Sequence, residues 1–158
     1  LRTLFFKIFS GNNPADDVGY IGMLLGQWGA VMVGADAGEG ALPNSTLRNM
    51  LGHHRVMMIN YCKQSMPWKW NGIDRYTADR TTMIDNYLML CKRQGVELPP
   101  YATSKPAIQD VLNVYEEVTK NGHKVWTHSP ALPDDCLHAQ IFGWLAYKTV
   151  ITDFTFYA

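Results

Sequence analysis

The run from Ala30 to Asp36 constrains the fold most: Ala30, Val31, Met32, Val33, Gly34 and Ala35 are unbroken by any polar residue until the run ends on a carboxylate. Apolar side chains at consecutive positions leave neither face of a strand for water, so the run is expected inside a parallel sheet covered on both sides. Its terminal Asp36 then falls at the carboxyl edge of that sheet, where open α/β folds gather their ligands. A glycine-rich turn, Gly38 to Gly40, is expected to close the strand.

Strand and helix alternate around this run, which indicates βαβ units. Residues 2 to 9 read as a strand, and Gly11, Asn12, Asn13 and Pro14 break it before a helix with Val18, Ile21, Leu25 and Trp28 on one face. Asn44 or Ser45 can cap a helix carrying Leu47, Met50 and Leu51, ended by Gly52 before a second buried strand, Arg55 to Tyr61. Residues 63–77 fit neither period and suggest an excursion, a hairpin outside the central sheet. Thr77 is expected to cap a helix running to Gly95, with Asp79 in its first turn. Pro106 suits the first position of a further helix that stops near Asn121 and Gly122. Lys124 to His128 is a last short strand, and a final helix begins around Asp134 with Leu137, Ile141, Phe142 and Leu145 inward.

Length and composition point to a single α/β domain over residues 1–158. The formal net charge is zero, so any contact with nucleic acid has to come from a local patch. Three cysteines without paired spacing argue against a disulfide framework or a zinc site and suggest a reducing compartment, with all three packed as small hydrophobes. No apolar run is long enough to span a bilayer. Leu1 leads straight into Leu4, Phe5, Phe6 and Ile8, which reads as a chain cut at its N-terminus.

Two acidic places carry the chemistry. Asp36 either caps its own turn or serves as a ligand at the sheet edge. Asp134 and Asp135 either cap the last helix or, together with Asp36, hold a hard cation such as Mg²⁺. This reading puts Asp36 and Asp135 at one edge of one parallel sheet. His128, ending a strand six residues before Asp134, can ligate a metal, orient a carboxylate or sit satisfied near the core. His53 and His54 follow a helix-ending glycine and can bond terminal carbonyls. Lys69 and Arg75, among Trp68, Trp70 and Tyr76, offer a patch for a phosphate backbone. A phosphate loop is absent, since Gly38-Glu39-Gly40 has neither the dinucleotide nor the P-loop pattern.

The succession Val31 to Gly40, Arg55 to Tyr61, Asp79-Arg80-Thr81, Val125 to His128 and Pro133-Asp134-Asp135-Cys136-Leu137-His138-Ala139 resembles the nuclease domain of phage terminase large subunits. The resemblance implies a ribonuclease-H-like mixed sheet flanked by helices, here lacking its opening strand. It also implies a metal-dependent endonuclease, using Mg²⁺ or Mn²⁺ and three acidic positions, that cuts packaged double-stranded DNA. Asp36 matches the second position and Asp135, or its neighbour Asp134, the third. The first belongs to the missing strand, so the 158-residue chain alone is expected to be inactive. The implied partners are the phage portal and the small terminase subunit, and the implied location is the host cytoplasm. The alternative is a DNA-binding or portal-docking module of the packaging motor that does not cut.

Overall fold

Asn13 starts the first helix: its side chain accepts from Ala15 N at 3.2 Å, and Pro14 fills the position where a missing N–H costs nothing. In the computed structural model, which describes residues 1–9, 13–38 and 41–156 and no side chains at 41 or beyond 151, this helix is α1 (Pro14–Gln27). Gly11, Asn12, Glu39 and Gly40, to which the sequence assigns turns, lie outside the described residues. The chain divides into two compact units. One comprises Ile8–Asn60, Trp68–Thr77 and Phe142–Ala158; the other comprises Leu1–Lys7, Tyr61–Pro67 and Ala78–Ile141. Across both, the described residues form a mixed α/β structure with five α-helices.

The first unit carries a four-stranded sheet in the order β1-β2-β4-β3, from β1 (Val33–Asp36), β2 (Val56–Tyr61), β3 (Trp68–Trp70) and β4 (Tyr76–Ala78). β1 and β2 pair in parallel with Val33 opposite Val56 and Asp36 opposite Ile59, but β1 is an edge strand without a buried residue and Val31 before it is 65% exposed, which corrects the expectation of a strand covered on both faces. The connection between them is α2 (Ala41–Leu51) followed by a short 3-10 turn, His53–Arg55. Val18 of α1, Leu47 of α2 and Val56 of β2 form a buried cluster, flanked by Ile21, Leu25 and Leu51. Trp28 lies beyond the last helical residue and is 51% exposed, so it does not extend the apolar face. On β1, a Cβ at Gly34 would stand 2.2 Å from the carbonyl oxygen of Phe142, so only glycine admits the helix backbone this close.

Several expectations are corrected here. α2 begins before Asn44, whose buried side chain donates to the Asp36 carbonyl instead of capping. The 63–77 excursion is a hairpin, but it belongs to the sheet, with β4 beside β2. Its turn is held by Asn71, whose Oδ1 accepts from the amides of Ile73, Asp74 and Arg75.

In the second unit, Asp79 rather than Thr77 caps α3 (Arg80–Lys92), accepting from Thr82 N at 2.9 Å; Thr77 is a residue of β4. α4 (Tyr101–Asn113) starts before Pro106, because the Pro100 carbonyl receives the first helical amides, Thr103 N and Ser104 N. It stops well short of Asn121. Val114–Val118 is β5 and pairs antiparallel with β6 (Lys124–His128) as a separate two-stranded sheet, its turn built on Gly122 at φ +75°. α5 (Asp135–Phe156) follows, with Leu137 and Ile141 fully buried. Residues 2 to 9 form no strand beyond one bridge, Arg2 to Glu97. Leu4 and Ile8 stay exposed, since a strand persists only where a neighbour offers a ladder. Cys62 is exposed, against the expectation of burial, while Cys91 and Cys136 are half-buried. Among the described residues no helix is long and apolar enough to cross a membrane.

Candidate functional site

Asp36 stands where the sequence puts it, on the last residue of β1 at the carboxyl end of the parallel pair, and it is exposed. Its Oδ1 accepts from Gly38 N at 2.9 Å, the turn-capping bond expected of Asp beside glycine. Among the described residues Oδ2 has no hydrogen bond, so half of the carboxylate stays open to solvent or a ligand.

The adjacent acids of the other unit have separate fates. Asp134 is buried, 7% exposed, and its Oδ2 receives Arg80 Nη2 at 2.6 Å and meets His138 Nε2 at 2.9 Å. Its Oδ1 faces His128 Nε2 at 3.7 Å. His138 Nδ1 in turn meets Tyr61 Oη at 2.8 Å. The tautomer that satisfies this chain carries the proton on Nε2, donating to Asp134, and lets Tyr61 donate to Nδ1. Burial first, then the Arg80 guanidinium, hold His138 below the ordinary imidazole pKa, although Asp134 pulls the other way. Arg80 also donates to the Trp126 carbonyl, which ties the start of α3 to β6. Asp134 is therefore the anchor of a structural network. Asp135, the next residue, is exposed in the first turn of α5, where unpaired amides favour a negative charge, and it makes no side-chain hydrogen bond among the described residues.

His128 does not stand apart as a ligand: its Nδ1 lies 2.7 Å from the Leu132 carbonyl and 2.9 Å from the Ser129 carbonyl, closing the turn after β6. The strand that leads to Asp134 and Asp135 belongs to the two-stranded sheet, which corrects the expectation that these acids share one parallel sheet with Asp36. Among the described residues no three His, Cys, Asp or Glu side chains are grouped to hold a metal ion. The described residues thus do not by themselves make a finished Mg²⁺ or Mn²⁺ centre.

The basic patch is weaker than its sequence. Lys69 is exposed on β3, whereas Arg75 donates to both oxygens of Asp74, at 3.0 Å and 2.7 Å. Those bonds, followed by one from Asn71, bring the Asp74 carboxyl down to about 2. The charge of Arg75 is largely offset within the pair.

Sequence reasoning missed Arg80 and Tyr61 as parts of the Asp134 network, because their partners lie 54 and 77 residues away. His138 had a local signal: four residues after Asp134, it falls on the same side of the helix start. Comparison of the chain with described protein families, curated proteins and solved structures finds no match.

Proposed function

We propose that the chain is the nuclease part of a phage terminase large subunit, a ribonuclease-H-like, metal-dependent DNA endonuclease with Asp36 and Asp135 among its acidic residues. The observation that carries the reading is Asp36, an exposed carboxylate that accepts from the Gly38 amide at the carboxyl end of a parallel strand, on the run that bears the family motif. The exposure of Asp135 beside a fully engaged Asp134 supports Asp135 as the family's third acid. Mg²⁺ or Mn²⁺ as cofactor, double-stranded DNA, the portal and the small terminase subunit as partners, and the host cytoplasm as location belong to the same proposal. A second reading, a module of the motor that binds DNA or the portal without cutting, is favoured by the Arg80–Asp134 ion pair, which removes one acid from service.

The test is cleavage of supercoiled plasmid in Mn²⁺ by the protein that carries this chain. Metal-dependent nicking is expected, reduced at least about a hundredfold by Asp36→Asn and by Asp135→Asn, on the scale of losing a group that acts at the reacting centre. Undiminished cutting by Asp36→Asn would remove the assignment, and binding without cutting would favour the second reading.

A further inference from the structure

The unit built on β1 to β4 holds a pocket that the nuclease reading leaves unused. It measures about 370 Å³ and lies among Arg48 of α2, His53 and His54 of the 3-10 turn, and Trp70 and Tyr76 of the β3–β4 hairpin. That volume is within the range of small-ligand sites. Met32, Val56 and Met57 give it an apolar part, and two further kinds of wall stand beside it. The Trp70 and Tyr76 rings stand 5.1 Å apart, tilted by 58°, and Trp70 is 48% exposed, so an aromatic face remains for a guest. Gly52, at φ +94°, lets the chain turn so tightly that a Cβ there would touch the His54 ring at 3.0 Å.

The other wall is positive. Arg48 Nη2 donates to two backbone carbonyls, Asp74 at 2.6 Å and Val56 at 3.5 Å, and Nε is buried with no acceptor among the described residues. Its hydrogen bonds therefore meet no carboxylate among the described residues. The nearby Asp74 carboxylate is hydrogen-bonded by Arg75 and Asn71 and also feels the Arg48 charge. A purely apolar guest would leave the Arg48, His53 and His54 side chains unused, and a bare anion would leave the rings idle. A nucleotide supplies both complements, a π face and a phosphate.

We propose that this pocket binds one nucleotide of a single-stranded nucleic acid, the base against Trp70 and Tyr76 and the phosphate toward Arg48, His53 and His54. A paired base keeps its faces within the duplex stack and enters only after unpairing, so the single strand is the preferred form. The proposal deepens the DNA reading and is independent of cutting: strand binding is read without metal and plasmid cleavage with it, so either can fail alone.

The experiment is fluorescence anisotropy of a labelled oligothymidylate with the full chain, without divalent metal, beside the matching duplex and with thymidine 5′-monophosphate as competitor. Trp70→Ala is expected to weaken single-strand binding about tenfold or more, the worth of one stacked base. Trp70→Phe, which keeps a ring, restores most of the affinity. The His53→Ala, His54→Ala double variant also binds more weakly, since both residues are exposed and neither supports the buried cluster. The duplex binds at least about tenfold less tightly than the strand. Equal binding by Trp70→Ala, or a duplex held as tightly as the strand, would overturn the proposal. Displacement of the strand by monophosphate at equal concentration would instead make a free nucleotide the ligand and overturn the strand assignment.

Discussion

The contrast between Asp134 and Asp135 shows how neighbouring residues of one type divide into structure and function through what they touch. Asp134→Ala leaves Arg80 and His138 half-buried without their carboxylate, which is expected to cost about 2 kcal/mol or more in urea unfolding. Asp135→Ala, on an exposed helix start, should cost less than about 1 kcal/mol in the same assay. Equal losses would mean that Asp135 too is held by the fold. His138 gives the network a pH dependence. Burial and Arg80 lower its pKa in the folded state, so below about 6.5 the unfolded chain binds the proton more readily. Stability is then full above that pH and declines as pH falls through the ordinary imidazole range toward the lowered folded value. Thermal unfolding at pH 7.5 and pH 5.5 should show a lower Tm at the acid end, and His138→Gln should remove most of that difference. A variant with an unchanged pH slope would show that the titrating group lies elsewhere.

At the scale of elements, two glycines decide whether a strand can meet its neighbours. Gly34→Ala would drive a methyl group into the Phe142 backbone, which cannot rotate away as a side chain does. The expected loss is about 2 kcal/mol or more, with a matching fall in Tm. Gly122→Val forces a β-branched residue into positive φ in the β5–β6 turn and should cost about 1–3 kcal/mol. A neutral result at Gly122 would show that the hairpin turn adjusts freely. The same hairpin explains an error of reading. Val111, Leu112, Tyr115 and Val118 fall at helical spacing, yet Val114–Val118 is a strand because Lys124–His128 lies opposite it in register. The Asn121-Gly122 pair between two β-branched runs was the local hairpin signal that outweighs this period. The start of α4 misled in the opposite sense: Pro106 suits a first position, but helix formation needs only an upstream carbonyl to accept, and Pro100 offers one.

For the whole molecule, the zero net charge means that no long-range field draws in a polyanion, so binding to a strand rests on a few contacts. With Arg48 as the cation that lines the pocket, the plot of log affinity against log salt should have a slope of about −0.7 for a single strand. A slope several times steeper would mean that a larger basic surface carries the binding. The sequence by itself determined the α/β class, the parallel pairing of the two apolar runs and the place of Asp36, because a helix between two apolar runs returns the second strand parallel to the first and the first charge fixes the strand's end. It could not assign 76–78 to the edge of β2, make a strand of Val114–Val118, or tell Asp134 from Asp135. Those were decided by tertiary structure, because a strand exists only through its partner's backbone and a carboxylate becomes structural only when a cation such as Arg80, 54 residues away in sequence, is folded against it.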